Sequence, residues 1–166
     1  MAALPRDDRL IPGLLDRLID DEPDLQVEPP WREGQVIREL KRSLRRDLED
    51  LLNARRPLDD LPEEYRQLAD SLANYGLPDL QSFEIREKHE LQHLCRLIEE
   101  CIRSFEPRLQ NVQVTPMRAA GEDRPVERRL RFGIDAILVA EPLREMIQFH
   151  SAVDAESGMI LVEGAG

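Results

Sequence analysis

An α+β fold, with N-terminal helices packed on a small C-terminal β-sheet in a single domain, is predicted by three features of the sequence. Across 33–53 and 85–105 apolar residues recur every three or four positions, the period of a helix with one buried face. From Leu109 onward apolar and polar residues alternate, the period of a strand. Between the two regimes stands Phe105-Glu106-Pro107-Arg108-Leu109. Proline has no N–H and disfavours helical geometry in the residue before it, so the helix must stop at about Phe105. Helices first and strands last is the order of an α+β domain.

The elements follow in order. Residues 1–30 are acidic and punctuated by proline, with one short amphipathic piece, Leu10 to Ile19, closed by Asp20, Asp21, Glu22 and Pro23. So short a helix is marginal in water unless it packs on something. We therefore treat 1–30 as an N-terminal docking segment and 31–166 as the folded domain. In Glu33–Asn53 the stripe is Ile37, Leu40, Leu44, Leu48, Leu51 and Leu52. Pro62-Glu63-Glu64-Tyr65 opens a further helix, continued by Leu68, Ala69 and Leu72 and ended by Asn74-Tyr75-Gly76-Leu77-Pro78. A helix at Ile85–Phe105 turns Leu91, Leu94, Ile98 and Ile102 inward. Strands are predicted near 110–114, at 128–139, at Ile147–Val153 and at Met159–Val162. The last two flank Asp154-Ala155-Glu156-Ser157-Gly158, a hairpin loop with a glycine suited to its tight turn.

Bulk properties exclude several functions. The chain has 166 residues, enough for one domain with a real core, and a formal charge of -11, which argues against nucleic-acid backbones and anionic membranes as partners. Only 4% of residues are aromatic, so stacking platforms for single strands are not expected. Arginines cluster at Arg38 to Arg46, Arg55-Arg56 and Arg124 to Arg131 but are interleaved with acids, as on a solvated helix face. No apolar run nears the roughly 20 residues of a membrane span, and the N-terminus lacks a secretory pattern. Cys95 and Cys101 point apart on one helix, and two free thiols fit a reducing cytoplasm.

His89-Glu90-Leu91-Gln92-His93 reads literally as a zinc-protease H-E-x-x-H. A catalytic site needs a third ligand and an open position. Here Arg96 and Glu99 occupy the extended motif's glycine and third-histidine positions, and Arg86, Glu87 and Lys88 put charge where zincins bury the metal. A zinc-dependent hydrolase on His89, Glu90 and His93 is therefore the alternative reading, and no metal or cofactor is expected. Carboxylate pairs for glycoside hydrolysis arise by chance in so acidic a chain. The Glu106-Pro107-Arg108 junction, by contrast, holds an acid and a base beside a rigid turn, where they can pair with each other or with a partner. We expect the pair to be exposed.

Several segments, in their order and spacing, resemble the TssE family of type VI secretion baseplate subunits, part of the wedge-protein family shared with contractile phage tails. They are Leu14-Leu15-Asp16-Arg17-Leu18, the run from Ser43 to Arg55, Asn74-Tyr75-Gly76-Leu77-Pro78-Asp79, Phe105-Glu106-Pro107-Arg108-Leu109, Leu130-Arg131-Phe132-Gly133-Ile134 and Ala140-Glu141-Pro142-Leu143. The resemblance implies a non-enzymatic, cytoplasmic baseplate component that joins TssF, TssG and TssK and templates the TssB–TssC sheath, near the VgrG hub and Hcp tube. It assigns partner binding to Glu106, Pro107 and Arg108 and to Leu14, Leu15, Asp16, Arg17 and Leu18. Strand addition to an exposed sheet edge is the expected route for templating. A lysozyme-like label also attaches to some relatives, but no catalytic constellation here supports it.

Overall fold

The computed structural model describes residues 14–19, 23, 33–56, 65–69, 71–79, 88–117, 130–140, 143–154 and 157–164. The helices are α1 (Leu14–Leu18), α2 (Glu33–Asn53), α3 (Arg66–Ala69) and α4 (Lys88–Phe105), with a 3₁₀ turn at Leu72–Asn74. The strands are β1 (Leu109–Met117), β2 (Leu130–Ala140), β3 (Leu143–Val153) and β4 (Ile160–Gly164). They form one sheet in the order β1-β2-β3-β4, with every neighbouring pair antiparallel. The α+β expectation holds. Residues 1–13, 62–64, 85–87 and 118–129 lie outside the described residues, so the expectations made there have no structural counterpart.

One face of the sheet carries the core. Strand alternation sends Phe132, Ile134, Ala136 and Leu138 of β2 to the same side as Ile147 and Phe149 of β3 and Ile160 and Val162 of β4. Against them lie Leu44 and Leu48 from α2 and Leu94, Ile98 and Ile102 from α4, in one cluster. Burying each such side chain contributes about 1.5–3 kcal/mol relative to exposure. α4 packs on β1 and α2 packs on β4, so each helix lies along one outer strand. The opposite face bears Arg131, Met146, Gln148, Leu161 and Glu163. β1 carries a bulge between Gln110 and Gln113, where Asn111 takes φ 54, a left-handed conformation that asparagine tolerates. In the β3–β4 hairpin Gly158 takes φ 68 as predicted, and its N–H donates to the Asp154 carbonyl at 2.8 Å.

Two elements differ from the sequence expectation. The helix through Leu68 and Leu72 is interrupted: the Ser71 hydroxyl accepts from the Ala73 N–H and restarts the chain as a 3₁₀ turn. Leu72 consequently points to solvent, 82% exposed. β3 begins at Leu143 rather than Ile147, because Arg144, Glu145 and Met146 pair with Val139, Leu138 and Ile137 although Arg144 and Met146 are exposed and Glu145 is only half-buried. Backbone pairing with a long β2 outweighs that unpromising composition.

After α2 the chain turns against residues 76–77. The Leu77 N–H donates to the Ala54 carbonyl and the Arg56 N–H to the Leu77 carbonyl, both at 2.9 Å. Gly76 sits at φ 99, and a Cβ there would meet the Ala54 carbonyl oxygen at 2.1 Å. Gly76→Ala is expected to cost at least about 2 kcal/mol from strain and clash together, read as a lowered urea midpoint. The Gly76 carbonyl also accepts from the buried Cys101 thiol at 3.4 Å. Burial raises that thiol from 9.0 to about 11. The folded value lies above the unfolded one, so the stability this group contributes is complete below pH 9 and lost as pH rises through about 11. Native protein should therefore resist iodoacetamide at Cys101 at neutral pH and react only on unfolding, and Cys101→Ala should flatten the alkaline arm of a stability–pH curve.

Candidate functional site

The helix–strand corner begins where α4 ends. The Glu106 N–H makes the last helical bond, to the Ile102 carbonyl at 2.8 Å, and the Leu109 N–H then turns back to the Glu106 carbonyl at 3.1 Å. The Arg108 carbonyl accepts from the Val139 N–H at 2.8 Å, tying the corner to β2. Pro107 faces solvent between the two charges, but Glu106 does not: it is 5% exposed. Its carboxylate grips Arg108 at both ends of a fork, with Nε donating to Oε1 at 2.7 Å and Nη2 to Oε2, and the Arg108 N–H adds a bond to Oε1 at 3.2 Å. Nη2 also donates to Asp47 Oδ2 at 2.7 Å, which joins the corner to α2. The Glu106 hydrogen bond, and then that to Asp47, push the Arg108 guanidinium above its ordinary value although burial opposes them.

A second arginine extends the network toward the N-terminus. Arg46 Nη2 donates to Asp47 Oδ1 at 2.9 Å and to Asp16 Oδ1 at 2.8 Å, and the Ser43 hydroxyl donates to Asp16 Oδ2 at 2.6 Å. These bonds, Asp16 first, raise the Arg46 guanidinium. One carboxylate thus anchors α1 to α2, while Leu15 and Leu18 remain exposed. Asp16, Arg46, Asp47, Glu106 and Arg108 line an open cavity of about 420 Å³ together with Leu51, Tyr75 and Phe105. Its apolar wall is stiffened by Tyr75 and Phe105, packed edge to face with centroids 5.3 Å apart.

The structure brings Glu106, Pro107, Arg108, Leu15 and Asp16 around this cavity; the side chains of Leu14 and Arg17 lie outside the described residues. The expectation of an exposed Glu106–Arg108 pair is corrected: the carboxylate is buried against α2, which a local reading of the corner does not reveal. Asp47, Arg46 and Tyr75 were missed as members of the site. A signal existed for Asp47, which stands one turn after Ser43 beside the apolar stripe of Leu44, Leu48 and Leu51. His89 and His93 lie on the exposed side of α4, His150 is on β3, and Glu99 accepts from the Val114 N–H at 2.8 Å. Among the described residues no group of three or more His, Cys, Asp and Glu side chains is placed to hold a metal ion. No described helix is long and apolar enough to cross a membrane.

A comparison with protein families matches residues 38–143 to the baseplate wedge protein gp25 family. The chain belongs to that family. TssE is its type VI secretion homologue, and the matched residues span α2 to the start of β3, including the whole corner. No curated protein and no solved structure matches the chain. The gp25 family is structural in general, which gives this chain a phage-tail-like baseplate role.

Removing Arg108 strands a buried carboxylate, so Arg108→Ala should be markedly destabilising. Loss of a buried partner costs about 3–5 kcal/mol, and the guanidinium's partial exposure places the effect near the lower end. Arg108→Lys should recover only part of it, because an ammonium cannot reach Glu106 and Asp47 as a fork. Urea denaturation of the three proteins measures both effects.

Proposed function

We propose that this chain is the wedge subunit of a type VI secretion baseplate, a non-enzymatic part that joins the TssF/TssG wedge and nucleates the TssB–TssC sheath. The observation that carries this reading is the buried Glu106–Arg108–Asp47 cluster opening into a cavity on a member of the gp25 family. Pro107 and the internal salt bridges hold the corner in one geometry before any partner arrives, so little entropy remains to be lost on docking. The cavity lining carries three carboxylates against two guanidinium groups, so a partner helix presenting a basic residue beside apolar ones complements it. α1 lies at the rim of the same cavity and extends the docking surface through Leu15 and Leu18. TssK, VgrG and Hcp would be met through the assembled wedge. The protein would work in the bacterial cytoplasm, at the baseplate, without touching nucleic acid or membrane.

Co-purification with TssF and TssG tests this. The exposed side chains of Leu15 and Leu18 are the informative targets, since neither supports the internal clamp. Leu15→Asp and Leu18→Asp should each leave urea stability within about 1 kcal/mol yet weaken wedge binding by at least about tenfold, or 1.4 kcal/mol. A chain lacking residues 1–30 should stay folded and also bind less well. Unchanged co-purification in all three would overturn the docking assignment. One tightly bound zinc per chain, with loss of stability on chelation, would instead favour the hydrolase alternative.

A further inference from the structure

The outer edges of a sheet expose rows of backbone donors and acceptors that invite pairing with another chain. In this protein side chains from the flanking helices occupy them. On β4 the Asn53 side chain copies a peptide group of a neighbouring strand: its Nδ2 donates to the Ile160 carbonyl and its Oδ1 accepts from the Ile160 N–H, both at 2.8 Å. The remaining Nδ2 proton goes to the Glu49 carbonyl at 2.8 Å, so both amide donors are engaged and the group is held in place. Two helical turns earlier, Arg45 Nη1 donates to the Val162 carbonyl at 3.3 Å, steadied by Glu49. Strand alternation makes Ile160, Val162 and Gly164 the outward-facing positions, and two of the three are engaged from α2.

The β1 edge is blunted differently. Glu99 takes the outward Val114 N–H, and the next outward position is Pro116, which has no N–H to offer. The bulge between Gln110 and Gln113 breaks the ladder further. β1 is therefore a poor template even with Glu99 removed. β4 is regular, carries the exposed apolar Leu161 with exposed Met159 just before it, and depends on its side-chain cover.

We propose that Asn53 and Arg45 are an edge guard that keeps β4 from pairing with β4 of a second copy of this chain. A second copy is the fitting occupant on geometric grounds. Antiparallel pairing about a two-fold axis at Val162 sets Ile160 opposite Gly164 and Leu161 opposite Glu163, so every outward group finds a partner and no like charges meet. Asn53 thus does more than finish α2: it makes the first backbone contacts that a fifth strand would make. The proposal is independent of the baseplate reading.

The test is sedimentation equilibrium of the full chain, with circular dichroism for folding. Wild-type protein should remain monomeric, and the double variant Asn53→Ala, Arg45→Ala should dimerise at least about tenfold more tightly, 1.4 kcal/mol. Adding Gly164→Pro removes an outward donor without disturbing β3 pairing, and should reverse the gain. A folded double variant that associates no more than wild type overturns the proposal, as does association that Gly164→Pro leaves untouched. If the double variant does not fold, Asn53→Asp replaces it. That change keeps the side-chain size but sets a carboxylate against the Ile160 carbonyl, and the same two outcomes are read from it.

Discussion

A single buried carboxylate organises this molecule. Glu106 sits where α4 must end and β1 must begin, and a buried charge without compensation costs several kcal/mol. Arg108 supplies the compensation from two residues away, which is only possible if Pro107 turns the chain sharply between them. The same guanidinium reaches Asp47, so the corner holds α2 as well as its own two elements. Through the Arg108 carbonyl it also sets where β1 starts to pair with the end of β2. Helix end, strand register and helix–sheet packing therefore share one electrostatic constraint.

That arrangement explains why the site and the fold are hard to separate. Arg108 is spent internally on Glu106 and Asp47, and three-quarters of its side chain is covered, so a partner meets a surface already fixed rather than a loose pair of charges. The apolar wall of Leu51, Tyr75 and Phe105 belongs to both the core margin and the cavity. Membership of the gp25 family fits such a part, since an assembly component serves by presenting a rigid, repeatable surface. The sheet edges carry the same logic. Strand addition to an exposed edge was the expected route for sheath templating, yet along the described residues Asn53, Arg45 and Glu99 already occupy edge groups. Any chain that pairs with β4 must first displace α2 side chains, which makes pairing conditional rather than automatic.

Much of the architecture could be read without coordinates because it rests on local periodicity. The α2 stripe of Leu40, Leu44, Leu48, Leu51 and Leu52 and the β2 alternation of Phe132, Ile134, Ala136 and Leu138 are buried as their spacing requires. The α4 stop at Phe105 follows from proline stereochemistry, and the Gly158 turn from the need for a positive φ. Boundaries were less legible: Ser71 breaks a helix by a local hydrogen bond that competes with it, and Leu143 to Met146 join β3 only because β2 is long enough to pair with them.

By itself the sequence determined the α+β order, the core faces, the corner at Glu106-Pro107-Arg108 and the family resemblance, since each depends on residues close together in the chain. The tertiary structure alone decided that Glu106 is buried, that Asp47 and Arg46 complete its network, and that Asn53 meets Ile160. Asp47 and Arg108 are 61 positions apart, and Asn53 and Ile160 are 107 apart. Contacts of that range leave no periodic trace, because they are made by the packing of whole helices on the sheet rather than by the preferences of neighbouring residues.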